Sequence, residues 1–190
     1  MTVRSTMVDL ITELREMTNT GATDYTITGI SYWNDEQLQS KLDAQRIAVR
    51  FVSMEYQADY ANGAYTYKEY MLPERWMEGG TALTVQDVGG VTIASTDYTF
   101  NRDRNTITFT ADTGGASRFV SGNAYNLNMA AAAVWTMKAA HVANKYDVST
   151  DNHSLKRSQL VQQYKQMAQE YYDKGTSGSV YMERSDTDGR

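Results

Sequence analysis

The sequence predicts a mainly α fold. It reads as a four-helix core ending in a long C-terminal helical hairpin, with a small antiparallel β element inserted and an extended C-terminal tail. Three observations predict this. Apolar residues recur at helical spacing in four separate stretches. Between the second and third stretches, β-branched and aromatic residues alternate with polar ones. After Gly175 no core pattern remains. The corresponding organisation is N-terminal helices over 1–63, a β-rich insertion over 64–122, the helical hairpin over 123–175 and the tail over 176–190.

The elements follow in order. Met7, Leu10, Ile11, Leu14 and Met17 predict a first amphipathic helix, with Ser5 or Thr6 as its cap. The stretch NTGATDYTITG, from Asn19 to Gly29, is rich in Thr and Gly and reads as loop. A second helix starts at Asn34, where Asn34 and Gln37 form a capping box. Leu38, Leu42, Val49 and Val52 keep one face, widened by Ile47 and Phe51, so this helix is expected to run to about Asp59 and stop at Asn62-Gly63. Strand patterns follow at Ala82–Val85, Val91–Ile93, Asp97–Phe100 and Thr106–Phe109. The last two predict a hairpin with Tyr98 and Phe100 facing Ile107 and Phe109. The glycine pairs beginning at Gly79, Gly89 and Gly114 read as hairpin turns.

The third helix is expected over about Asn123 to Tyr146. Ala131, Trp135, Ala139, Val142 and Tyr146 line one face, and Leu127, Ala130, Val134 and Met137 an adjacent one. Apolar cover over more than half the circumference marks it as central. Asp147 to His153 reads as a turn. The fourth helix runs from about Ser154 to Lys174 with Leu160, Tyr164, Met167 and Tyr171 as its stripe, and Gly175 as its C′ residue. Thr176 to Arg190 reads as an extended tail.

Composition bounds the function. The 190 residues suit one domain, or one with an insertion. The absence of cysteine excludes disulfides, thiolate metal sites and cysteine nucleophiles, and makes a reducing cytosol the default compartment. No apolar run reaches the roughly 20 residues needed to span a bilayer, and the start, with acids inside its apolar pattern, does not read as a signal peptide. A net charge of −5 argues against a nucleic-acid-binding surface. Tyr at 14 and Met at 10 are abundant, which fits either an ordinary core or the centre of a protein–protein interface.

Catalytic and metal signatures are missing. His141 sits within the third helix and reads as the edge of its packed face, and His153 lies in the turn. Their spacing does not match a zinc pair. No G-x-S-x-G elbow, phosphate loop or dinucleotide fingerprint occurs. Asp186-Thr187-Asp188-Gly189 resembles the opening of a calcium loop but lacks the distal glutamate. The expectation is therefore no enzyme, no metal and no cofactor. Lys156, Arg157 and Lys165 put positive charge on the fourth helix, either as a solvated face or toward a partner's acidic surface or phosphates passing nearby. Aromatic clustering is the remaining signal. Tyr56, Tyr60, Tyr65, Tyr67 and Tyr70 crowd the junction between the second helix and the β element, with Trp76 just beyond. Of these, Tyr65, Tyr67 and Trp76 are candidate partner contacts. They either meet another chain or seal the insertion onto the helices.

The order of parts resembles the head–tail connector, or head-completion adaptor, family of tailed bacteriophages. The resemblance rests on the capped helix NDEQLQSKLDAQ, the strand pair YTFNRDRNTITFT, and an alanine-rich helix followed by KYDVSTDNHSLKRSQLVQQYKQMAQEYY. It covers about Val8 to Gly175. It implies a virion neck protein that forms a ring, twelve-fold like the portal, beneath the portal protein. The ring extends the DNA channel toward the next neck or tail protein, the stopper. DNA would pass through the lumen without sequence-specific binding, and no membrane is involved. The family grips the portal with C-terminal segments. Here that implies Val180, Tyr181 and Met182 as anchors and Arg184 as a polar contact. The competing readings are another neck component, such as a stopper or tail terminator, and a small-ligand or sugar-binding module using the tyrosines of the β element.

Overall fold

The computed structural model describes residues 2–21, 24–61, 63–143, 149–150, 153–154 and 157–176. Its helices are α1 (Val8–Thr18), α2 (Asp35–Asp43), α3 (Leu127–Ala143) and α4 (Arg157–Thr176). Its strands are β1 (Tyr25–Ile27), β2 (Ile30–Tyr32), β3 (Arg46–Ala61), β4 (Ala64–Met71), β5 (Thr84–Gln86), β6 (Tyr98–Asn101), β7 (Thr106–Phe109), β8 (Arg118–Tyr125), β9 (Ser149–Thr150) and β10 (His153–Ser154).

The mainly α expectation is overturned. The chain is about 39% helix and 32% strand, and its largest element is a curled six-stranded antiparallel sheet in the order β5-β8-β3-β4-β7-β6. The error lies in one stretch. The second helix ends at Asp43, not near Asp59, and Arg46–Ala61 is a 16-residue strand at the centre of the sheet. A bulge explains the misreading. One extra residue enters β3 between Val49 and Val52, so the residues sharing one face run Ile47, Val49, then Val52, Met54. The spacing of three across the bulge imitates helical periodicity, while either side of it the period is two. The sheet therefore draws on 46–61 and 118–125 as well as on the intervening strands.

Other expectations meet the structure more closely. The capping box is formed: Asn34 Oδ1 accepts from the Gln37 amide at 2.9 Å, and Gln37 Oε1 accepts from the Asn34 amide at 3.1 Å. Tyr98 pairs with Phe109 and Phe100 with Ile107, as the strand pattern requires. The stretch read as a turn instead holds the β9–β10 pair, with His153 opposite Thr150 and Ser154 opposite Ser149, and the fourth helix begins at Arg157 and not near Ser154. At α1 neither Ser5 nor Thr6 caps. Ser5–Met7 form a 3-10 turn leading into the helix, and the Thr6 hydroxyl is engaged elsewhere. The third helix begins four residues later than expected, because β8 runs to Tyr125. Asn126 then caps α3, accepting from the Met129 amide at 3.1 Å.

Gly175 is not a C′ residue but lies inside α4. Its role is close approach. A Cβ there would stand 2.7 Å from Met129 Cγ and 3.1 Å from the Met129 amide nitrogen, so only glycine lets α4 close on the first turn of α3. Asn126 reinforces the contact by donating to the Gly175 carbonyl at 2.8 Å.

Two apolar clusters result. One joins α1, α2 and α3 through Met7, Leu10, Leu14, Trp33, Leu38, Leu42, Leu127 and Val134. The other fills the inner face of the sheet with Met54, Tyr70, Met77, Val85, Ile107, Phe109 and Val120. Each fully buried Leu or Met side chain contributes about 1.5–3 kcal/mol. Strand β8 belongs to both clusters, because Ala124 faces the sheet core and its neighbour Tyr125 faces the helices.

Candidate functional site

Among the described residues, seven exposed large apolar side chains stand on β3 and β4. Strand β3 pairs with β8 only as far as Met54, and β4 pairs with β7 only at Glu69–Met71. The rest of the two strands pair with each other alone, as a two-stranded ribbon turning at Gly63 with φ +81°. The root of the ribbon is braced by the loop before β8. The Tyr67 amide donates to Asp112 Oδ1 at 2.9 Å, and Thr113 Oγ1 donates to the Tyr67 carbonyl at 2.6 Å. Backbone N–H groups of Gly114 and Tyr67 hold the Asp112 carboxyl below the usual carboxylate range.

An aromatic ladder climbs this ribbon. At its base Tyr70 is buried against Phe109 at 5.2 Å, and its hydroxyl lies 2.6 Å from both Thr113 Oγ1 and the Ala116 carbonyl. Tyr56 stands edge-on to Tyr67 at 5.3 Å, and Tyr60 meets Tyr65 at 4.9 Å near the tip. The face that builds the core around Tyr70 thus continues outward uncovered, with Tyr56, Tyr60 and Tyr65 at 52%, 62% and 61% exposure. Large amphipathic rings held on a paired backbone are typical of contact surfaces.

Trp76 is not part of that ladder. It packs against the helical cluster, and its indole N–H donates to Glu13 Oε1 at 2.9 Å. Arg75 lies over its ring at 5.5 Å. It lines a groove of about 720 Å³ between α1 and the β6–β7 turn, together with Asp9, Glu16, Arg102 and Asp103. The sequence-predicted residues therefore separate: Tyr65 and Tyr67 lie on the ribbon, and Trp76 at the helix–sheet junction. Val180, Tyr181, Met182 and Arg184 lie outside the described residues, as do Tyr146 and Lys156. His141 is half-buried and stacks on Tyr25 at 3.7 Å. Lys165 is exposed on α4.

Sequence reasoning missed a polar joint between the two clusters. Arg4 binds Asp43 through two nitrogens at 2.6 and 3.1 Å and reaches Glu78 Oε1 at 3.1 Å. Glu78, only 2% exposed, also accepts from Thr6 and, at 2.6 Å, from the Tyr125 hydroxyl. Burial alone would raise the Glu78 carboxyl, but the bonds from Thr6, Tyr125 and Arg4 outweigh it and hold it below its usual range. Burial, then the Glu78 carboxylate, push the Tyr125 hydroxyl well above its ordinary value. The joint links the N-terminal turn, α2, the segment after β4 and β8. No local pattern announces it, since Arg4 and Glu78 are 74 positions apart.

Lys138 was also missed. It is buried on α3, pairs with Asp24 at 2.6 Å, and donates to the Thr18 and Asn19 carbonyls at 3.0 Å each, closing the C-terminus of α1. The available signal was a single cation inside an otherwise apolar helix, a group that needs a partner when buried.

Among the described residues, no group of three or more His, Asp or Glu is placed to hold a metal ion. No helix there is long and apolar enough to cross a membrane. Comparisons with protein-family models, with curated proteins and with solved structures found no match.

Proposed function

We propose that this chain is a structural assembly protein of a tailed-bacteriophage neck, a head–tail adaptor whose copies form a ring beneath the portal and extend the DNA channel. The observation that carries the reading is the aromatic ribbon. The body of helices and sheet holds out a paired strand with exposed tyrosines, an arrangement suited to contact with other chains. The order of capped helix, strand pair and alanine-rich helical hairpin supports the same reading. In this reading the portal is one partner, the stopper another, and further copies of the chain a third. The net charge of −5 suits a lumen wall over which DNA slides without sticking. The residues of 176–190 grip the portal, and the protein has no turnover of its own.

The test mixes the purified chain with a tailed-phage portal protein and measures co-sedimentation. The full chain is expected to join the portal, and a chain truncated after Gly175 to lose it. A truncated chain that joins the portal as well as the full chain would refute the tail assignment, and a full chain that stays free would refute the adaptor reading. The Tyr60→Ser/Tyr65→Ser variant should keep its melting temperature and lose assembly.

The larger sheet favours one second reading, another neck component such as a stopper, since strand makes up about 32% of the chain. Binding to a preformed portal–adaptor complex, and not to portal alone, would select it.

A further inference from the structure

Strand β3 segregates its charges. Opposite Val49 and Met54, its outer face presents Arg46 and Arg50 in the half paired with β8, and Glu55 and Asp59 in the half paired with β4. All four are exposed, and among the described residues none has a side-chain hydrogen bond or ion pair. They cannot neutralise one another within one chain. Arg50 and Glu55 are five residues apart on extended backbone, about 16 Å at roughly 3.3 Å per residue.

Between the two blocks lies an apolar plate. At the bulge Phe51 takes φ +51° and its amide donates to Ser121 Oγ at 2.9 Å. Its ring, 43% exposed, stacks on Phe119 at 4.3 Å and 2° between planes. An aromatic centre flanked by charge of opposite sign has the anatomy of an interface core and rim. The partner that matches it is a surface with acids on one side and arginines on the other.

We infer that this partner is a second copy of the chain, whose acidic half of β3 meets the basic half of the first. The spacing carries the inference. Arg46 is nine residues from Glu55, and Arg50 is nine residues from Asp59. A shift of about 30 Å along the strand therefore brings both pairs into register at once. The head-to-tail arrangement rests on the ring reading above. The charge pairing does not, because the same four residues are also symmetric about the Val52–Ser53 bond and serve a two-fold contact equally well.

Charge reversal tests the pairing, with sedimentation velocity of the full chain as the readout. The wild type is expected to self-associate, roughly tenfold or more weakly at high salt than at low salt. Arg46→Glu/Arg50→Glu and Glu55→Lys/Asp59→Lys are each expected to be monomeric with unchanged circular dichroism. Their equimolar mixture should associate again, as should the chain carrying all four changes, which damage to the fold could not produce. A wild type that stays monomeric, variants that associate like wild type, or a mixture that does not recover would each overturn the proposal. Association that stops at the dimer keeps the contact and contradicts the ring. Reversed chains that still join the portal as a full ring refute the contact and leave the adaptor reading standing.

Discussion

Replacing Gly175 with alanine is the sharpest test of how the C-terminal hairpin is held. In a solvent-facing helix the change would stabilise by up to about 1 kcal/mol, because glycine is the poorer helix former. Here the added methyl would meet Met129 Cγ at 2.7 Å and Sδ at 2.9 Å, and the Met129 amide nitrogen at 3.1 Å. The side chain can swing away, but the amide is fixed in the first turn of α3, where it donates to Asn126. Alanine must therefore push α4 outward, at about 1–3 kcal/mol for overpacking, and stretch the 2.8 Å bond from Asn126 to the Gly175 carbonyl, worth about 1 kcal/mol. Set against the propensity gain, the net loss is about 1–3 kcal/mol. Urea unfolding followed by circular dichroism measures it, and the same change in a Met129→Ala background should cost less, since two of the three close contacts are gone. A Gly175→Ala chain more stable than wild type would refute the close approach.

Two further substitutions address the buried charges. Glu78→Gln should cost about 1.5–3 kcal/mol, the range for hydrogen bonds to a charged group. Because the Glu78 carboxyl is held below its ordinary value, its contribution is present above the unfolded value of about 4.3 and lost as pH falls through the lower folded value. Thermal melts should show that acid loss in wild type and a shallower one in Glu78→Gln. The raised Tyr125 hydroxyl acts at the other end. Its contribution is present below about pH 10 and is lost as pH rises above that. Lys138→Met should cost about 3 kcal/mol by leaving the half-buried Asp24 without its cation, and adding Asp24→Asn should recover part of it, as a double-mutant cycle would report.

What the sequence revealed depended on how local the signal was. The Asn34–Gln37 capping box, the Tyr98–Phe109 hairpin and the stripe of α4 each depend on residues a few positions apart, and each was legible. Arg46–Ala61 was not, because the bulge at Arg50–Phe51 shifts a two-residue period by one and counterfeits a helical stripe. Once that strand is misplaced the sheet shrinks to an insertion and the fold class follows it. The Arg4–Glu78–Tyr125 joint and the Lys138–Asp24 pair are contacts across the fold, invisible to any window. The tyrosine cluster was visible as composition, but its division into a ribbon ladder and a separate Trp76 requires the register of β3 on β4.

The most direct measurement of the adaptor reading is cryo-electron microscopy of the full chain incubated with its portal protein. The reading predicts a closed ring of copies seated on the portal, with the ribbon of each copy in contact with another chain. Portal particles that remain bare while the chain stays free in solution would contradict it.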